Sequence, residues 1–509
     1  MRARSIASLA ALTLFCAAAL VPAGGSTSAQ ERGAGTGQAP GRGFGPGQGR
    51  GVGPGRGRAA AVDSGPRGVR VKTEAATPGY LLFAPLNSDT TYLIDNDGQV
   101  VRTWKSDVAP GAAVVMLDNG NVIRAGFEPK TQGFSGGGQG GRFQEFTFGG
   151  DLLWEHSIND AARLAHHDFA VMPNGNILAI IWELKTAVES RQAGRRDGFI
   201  PAGGLWPDAI LELQPQRPRG ARIVWEWHAW DHMIQDTSPT LPNHARPSER
   251  PERIDINADI RDAKAAGPGA ATADFLHTNS IAYNAELDQI VLSVPRLNEV
   301  WVIDHSTTAA EARGSTGGRA GKGGDLLYRW GNPQAYARGT EADRRFGFQH
   351  DARWIPRSYP GAGNMMVFSN RHGGPGPNAG RTTVYEFTPP VDGKGRYTLD
   401  ADRPFGPVEP VWTYAADDFT AQYISGASRL PDGKTLVSSG PQGRVFEVTR
   451  EGRIVWEFWS PFTGGLGGPQ GKANPYALFR GMRIPLSHPA LKGRTLRPLD
   501  PQPPFGSPP

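Results

Sequence analysis

Three histidines stand at one place in a repeated pattern. His167 lies six residues before Pro173, His350 six before Pro356, and His277 six before Tyr283. Each opens a short strand-like run, such as His350-Asp351-Ala352-Arg353-Trp354-Ile355-Pro356. Equivalent positions in repeated units are equivalent places in space, so the three imidazoles are expected to meet at one point. Imidazole can donate, accept or attack. The strand after each run returns toward the same end and finishes at Arg296 in one unit and at Arg371 in another. A guanidinium adds a planar fork of donors. Such a set suits a tetrahedral oxyanion.

The elements that must hold these residues recur from Gly79 onward. Apolar runs lead into tryptophan at Trp104, Trp154, Trp225, Trp330, Trp412 and Trp456. Each follows a partner run of alternating apolar residues, for example Tyr92-Leu93-Ile94-Asp95 and Val445-Phe446-Glu447-Val448. Period-two alternation bounded by Gly and Asp marks antiparallel strands. Asp118-Asn119-Gly120-Asn121, Pro173-Asn174-Gly175-Asn176 and Pro431-Asp432-Gly433-Lys434 carry tight-hairpin turns ahead of such pairs. Six units of four strands predict an all-β, six-bladed β-propeller; one or two β-sandwiches are the alternative. The unit starting at Gly79-Tyr80-Leu81-Leu82-Phe83 lacks an inner strand, and Phe479-Arg480-Gly481-Met482-Arg483-Ile484-Pro485 near the C-terminus matches one. That strand is expected to complete the first blade and close the ring.

By the same register the six inner strands begin at Phe479, Ala112, His167, His277, His350 and Ser425. Only three successive blades present histidine. The insertions 185–208 and 227–275 leave from the histidine end and are expected to roof it, whereas 306–324 should lie on the opposite face. His228 and His232 sit at helical spacing, which fits a packed lid better than a metal pair. Asp168 and Asp351 follow site histidines on strands and should point away from the site, into structural hydrogen bonds. His166 and Arg371 are expected beside the pocket, toward a bound substrate. A metal-dependent hydrolase would need a carboxylate at this register, and Glu183 is the sole candidate.

Composition bounds the rest. Many Gly and Pro residues (68 and 43) with 38% hydrophobic residues fit short strands joined by turns. The net charge is +5, but seven arginines against one acid fall between Arg32 and Arg70, so the folded part is not expected to bind nucleic acid. Residues 1–29 read as an export signal: Arg2 and Arg4, an apolar core from Ile6 to Val21, and small residues at Thr27-Ser28-Ala29. Phe15 ahead of Cys16, the sole cysteine, argues against lipidation. Cleavage would leave a periplasmic or secreted chain without cysteine and without stable membrane insertion. Residues 30–70 are Gly/Pro/Arg-rich and are expected to be disordered. The propeller is placed at 71–490 and a tail at 491–509.

The segments His166-His167-Asp168, His277-Thr278-Asn279-Ser280, Arg296, Leu326-Leu327-Tyr328-Arg329-Trp330-Gly331-Asn332-Pro333 and Gln349-His350-Asp351 together resemble the bacterial arylsulfate sulfotransferase family. The likeness runs from about Gly79 to Pro485. It implies a six-bladed propeller that moves a sulfuryl group from a phenolic sulfate donor to a phenol acceptor by a ping-pong route, with no cofactor and no nucleotide sulfate donor. Carried over by position, it implies that His350 becomes transiently sulfated. It further implies that His167, His277 and Arg296 hold the sulfate, and that Asn279 faces the same site. Non-catalytic binding of sulfated or other anionic ligands is the competing expectation.

Overall fold

The computed structural model describes residues 65–260, 272–375, 378–463 and 474–505. The proposed export signal and most of the Gly/Pro/Arg-rich segment lie outside these residues. Six four-stranded antiparallel blades form a six-bladed β-propeller. Counting from the N-terminal end, the inner strands are Met482–Pro485, Pro110–Met116, Arg163–Val171, Ser280–Asn284, Phe346–Trp354 and Gly426–Arg429. The blades are numbered one to six in that order.

Closure follows the expected strand. Met482–Pro485 pairs antiparallel with Gly79–Phe83, with Tyr80 opposite Ile484 and Leu82 opposite Met482. The first blade is thus built from both ends of the chain, which leaves no open sheet edge between first and last blade. A second N-terminal strand, Gly68–Lys72, pairs with Ile454–Trp459 on the outer edge of blade six. Three of its residues fall in the segment expected to be disordered. Arg67 and Arg70 stack on Trp459, 5.6 and 4.1 Å from the ring centre, so the arginine-rich composition gives way to packing here. The C-terminal tail is also docked: Leu499 N–H donates to Val100 O at 2.8 Å, and Arg494 lies over Phe148.

The repeated tryptophan has a positional reason. Each sits in the outer strand of its blade, and its indole N–H donates to the next blade round the ring. The acceptors are Thr147 O for Trp104, Gly220 O for Trp154, Thr307 Oγ1 for Trp225, Pro407 O for Trp330, Arg450 O for Trp412 and Asn96 O for Trp456. The last of these joins blade six to blade one. A large apolar ring fills the wedge between blades while its one polar atom finds a partner.

Both long insertions leave from the histidine end. They are tied to each other: Arg195 Nη2 donates to Asp259 at 2.9 Å, Asn257 Nδ2 to Gly194 O at 3.0 Å, and Trp206 N–H to Ala273 O at 2.7 Å. Segment 306–324 departs from expectation. It leaves from the far end of blade four, then folds back along the outer strand of blade three. There Trp227 Nε1 donates to Gly324 O at 2.8 Å, and His232 meets Asp325 at 2.8 Å and Ala312 O at 2.9 Å. Strand direction fixes where a loop departs; burying Trp227 and His232 decides where it goes.

Candidate active site

The inner strands do not simply begin at the register position. His167 and His277 have left-handed backbones, with φ of 53° and 57°. Ala112 and Ser425 share that conformation, at 109° and 90°. In blade five it appears one residue later, at Asp351 (54°), where the strand is bulged between His350 and Arg353. Asp168 and Asp351, each following its histidine, turn away from the mouth to partners below the histidines. Arg480 of blade one lies between them, 2.7 Å from Asp168 Oδ1 and 3.6 Å from Asp351 Oδ1. Asp351 Oδ2 also accepts from Ala427 N–H at 2.9 Å. This bridge floors the site. A cavity of about 330 Å³ lies on its far side, lined by Phe169, Ile281, Trp354 and Met482 among others.

His350 is held by Asn370. Its Nδ1 lies 2.6 Å from Asn370 Oδ1. Asn370 Nδ2 donates to the carbonyls of Ala421 and Ile424, at 2.8 and 3.1 Å. Carbonyls only accept, so the amide cannot turn, and its oxygen must face His350. Nδ1 therefore carries the hydrogen and Nε2 the lone pair. Burial, reinforced by the charge His277 would carry, pushes the His350 pKa down to about 4, against the weaker upward pull of its hydrogen bonds. At neutral pH its Nε2 is a free base.

His167 is buried deeper, and its pKa is driven well below the ordinary value by burial first and by His277, His166 and His350 next. Its ring centre is 4.6 Å from that of His277. His166 stacks on Trp182 at 4.1 Å, and its Nδ1 meets His167 Nδ1 at 2.8 Å. Its Nε2 lies 3.2 Å from Asp208 Oδ1. His166 thus braces His167 from behind. A loop from blade two covers the pair: His167 N–H donates to Gly138 O at 2.7 Å, and a Cβ on Gly138 (φ 80°) would fall 2.1 Å from His167 Nε2. Only glycine fits there.

His277 is the most open of the three, with 19% of its side chain exposed. Its Nδ1 bonds Asp274 Oδ2, and Asp274 Oδ1 accepts from Trp182 Nε1 at 3.0 Å. Arg296 stands close enough to Asp274 to lower its pKa and lies 5.8 Å from the centre of the Phe348 ring. Phe348 is 39% exposed and has φ of 57°, a strained setting for a bulky residue at the mouth of the site. Asn279 is fully buried. Its Nδ2 donates to Gln349 O at 2.8 Å, while its Oδ1 has no hydrogen-bond partner among the described residues.

His167, His277, His350 and Arg296 are thus gathered at one mouth, with Asn279 beside them and His166 behind. Arg371 is not tied to them by any hydrogen bond or ion pair among the described residues; the neighbouring Asn370 makes the contact. Successive strand side chains point to opposite faces, so a one-residue offset in register exchanges the two. Glu183 is turned to His228 (3.0 Å) and Lys185 (3.3 Å), and His228 and His232 have separate partners. Among the described residues no three His, Cys, Asp or Glu side chains group as a metal-holding set. Sequence reasoning missed Asn370, Asp274, Trp182 and the Gly136–Gly138 cover. The Gly-rich run 136–141 was the one visible signal among these.

The chain is similar to many solved structures at low identity, three of which follow. One is a protein of unknown function from Bacteroides caccae (12% identity, 80% of this chain and 99% of that one, TM-score 0.41). Another is the periplasmic gluconolactonase PpgL of Pseudomonas aeruginosa (12%, 75% and 96%, 0.38). The third is a catalytically inactive virginiamycin B lyase from Staphylococcus aureus (10%, 79% and 86%, 0.35). No curated protein matches the chain. The sequence pattern described as Arylsulfotransferase (ASST), in contrast, matches residues 69–455, nearly the whole propeller and every residue of the histidine mouth. By that match, the chain belongs to the arylsulfotransferase family.

Proposed function

We propose that this protein transfers a sulfuryl group from a phenolic sulfate ester to a phenol through a sulfated His350. The observation that carries the reading is the fixed Asn370 amide, which leaves His350 neutral with its Nε2 lone pair free. That nitrogen attacks sulfur, the S–O(aryl) bond breaks, and the electron pair leaves with the phenolic oxygen. Arg296 and His277 balance the negative charge that develops during the transfer, among side chains that are mostly buried. His167 stands beside His277 at the same mouth. Phe348 offers an aromatic face at the entrance. The acceptor phenol then attacks the same sulfur and His350 is restored.

A chromogenic aryl sulfate, given with and without added phenol, tests the reaction. Phenol should accelerate colour release, and chelators should leave it unchanged. Binding without turnover in either condition would favour a non-catalytic anion-binding propeller. Loss of activity on chelation, with water sufficing as acceptor, would favour a metal-dependent hydrolase. We further place the enzyme in the periplasm or outside the cell, on the export-signal pattern of residues 1–29.

A further inference from the structure

The three histidines differ in what stands behind them. His350 is backed by an uncharged amide and His167 by another imidazole. His277 alone is backed by a carboxylate, Asp274, delivered by the second insertion. Asp274 is almost fully buried, and its second oxygen is engaged by the indole of Trp182. An indole N–H only donates, and an ionised carboxylate only accepts. His277 Nδ1 must then carry hydrogen, and its Nε2 is the atom left for chemistry. Burial alone would raise the Asp274 pKa. The positive charge and hydrogen bond of His277, with His166 and Arg296 behind them, outweigh burial and hold it below the ordinary value.

We propose that Asp274, locked by Trp182, is a positioning residue that makes His277 the proton carrier of both half-reactions. The proposal rests on the sulfuryl-transfer reading above. In the first half, the S–N bond to His350 forms while the S–O(aryl) bond breaks. His277, protonated on both nitrogens, gives its Nε2 proton to the departing aryl oxygen. In the second, the acceptor O–H gives its proton to His277 Nε2 as its oxygen bonds to sulfur and the S–N pair returns to His350. Each cycle restores the starting protonation. The phenolate that most needs this help is one of an ordinary phenol, with a hydroxyl about as weakly acidic as tyrosine's, pKa about 10. A 4-nitrophenolate leaves without it.

The test is Asp274→Asn. Trp182 demands an oxygen, so the amide must turn its NH₂ toward His277 Nδ1. That strips the hydrogen from Nδ1 and moves it to Nε2, the wrong neutral tautomer, and the imidazolium loses its counter-charge. Disturbing the equivalent carboxylate in a serine protease costs about 10⁴-fold. We expect release of phenol from phenyl sulfate to fall by about 10³-fold or more, and 4-nitrophenol release from 4-nitrophenyl sulfate by about tenfold or less. The double variant Trp182→Phe/Asp274→Asn frees the amide to turn back, and should recover part of the phenyl sulfate rate. Activity retained on 4-nitrophenyl sulfate serves as the check on folding. Equal losses on both donors, or none on either, overturn the proposal. Wild-type sulfation of His350 by 4-nitrophenyl sulfate reports separately on the underlying reaction, so the two failures are told apart.

Discussion

One half of the ring presents His167, His277 and His350 where the other half presents Ser425, Phe479 and Ala112. Two blades of each half nevertheless share a backbone feature at this position. Ala112 and Ser425 share the left-handed φ of His167 and His277, though neither carries a group that could do the chemistry. Strain at a reactive residue invites a functional explanation. Here the comparison assigns it to the repeat, because blades without histidine carry it too, and the sequence decides which blades are armed. The inert half still contributes, since Arg480 pins Asp168 and Asp351 of the armed half from below.

The largest effect should come from disarming one blade. His350→Ala should abolish release of phenol even in a single turnover, a loss of at least about 10³-fold, because no adduct can form. Rapid-quench measurement of the first turnover checks it. The armed half should also be the acid-sensitive half. His350 titrates near 4 when folded and near the ordinary histidine value of 6.5 when unfolded. Between these values the unfolded chain binds more protons, so stability falls as pH drops from 6.5 to 4, by about 3 kcal/mol from this residue. Denaturant melts across that range should show a slope that His350→Gln reduces, the remainder coming from His167, whose pKa is also lowered by burial.

Smaller effects sharpen the contrast. Arg296→Lys keeps the charge but loses the fork, and kcat should fall about 10²-fold. Asn370→Ala frees the His350 ring and removes a donor from two carbonyls. About 2 kcal/mol of lost hydrogen bonding corresponds to roughly a thirtyfold drop in kcat/KM. In the inert half, Ala112→Gly relieves the strained backbone. It should raise stability by about 1 kcal/mol, measured as a higher Tm, with sulfuryl transfer unchanged.

What could be read from the chain follows from where each signal resides. Blade count and closure are written locally, in period-two runs, Asn-Gly turns and the tryptophan register. The histidine mouth was legible because repetition turns spacing into position. Asn370 was not, since one residue of register along the strand exchanges it with Arg371. Asp274 and Trp182 come from an insertion and from the second strand of blade three, and no spacing relates them. The path of 306–324 depended on packing against Trp227 and His232. Gly68–Lys72 was hidden because its composition continues that of the preceding tail.

The most direct test of the central claim is to mix the wild-type protein with 4-nitrophenyl sulfate alone, quench at neutral to alkaline pH, and map the modified peptide by mass spectrometry. The account predicts one added sulfuryl group on His350, discharged when a phenol is added. A sulfuryl group on any other residue, or turnover with no adduct in a protein whose His350→Ala variant stays active, would contradict it.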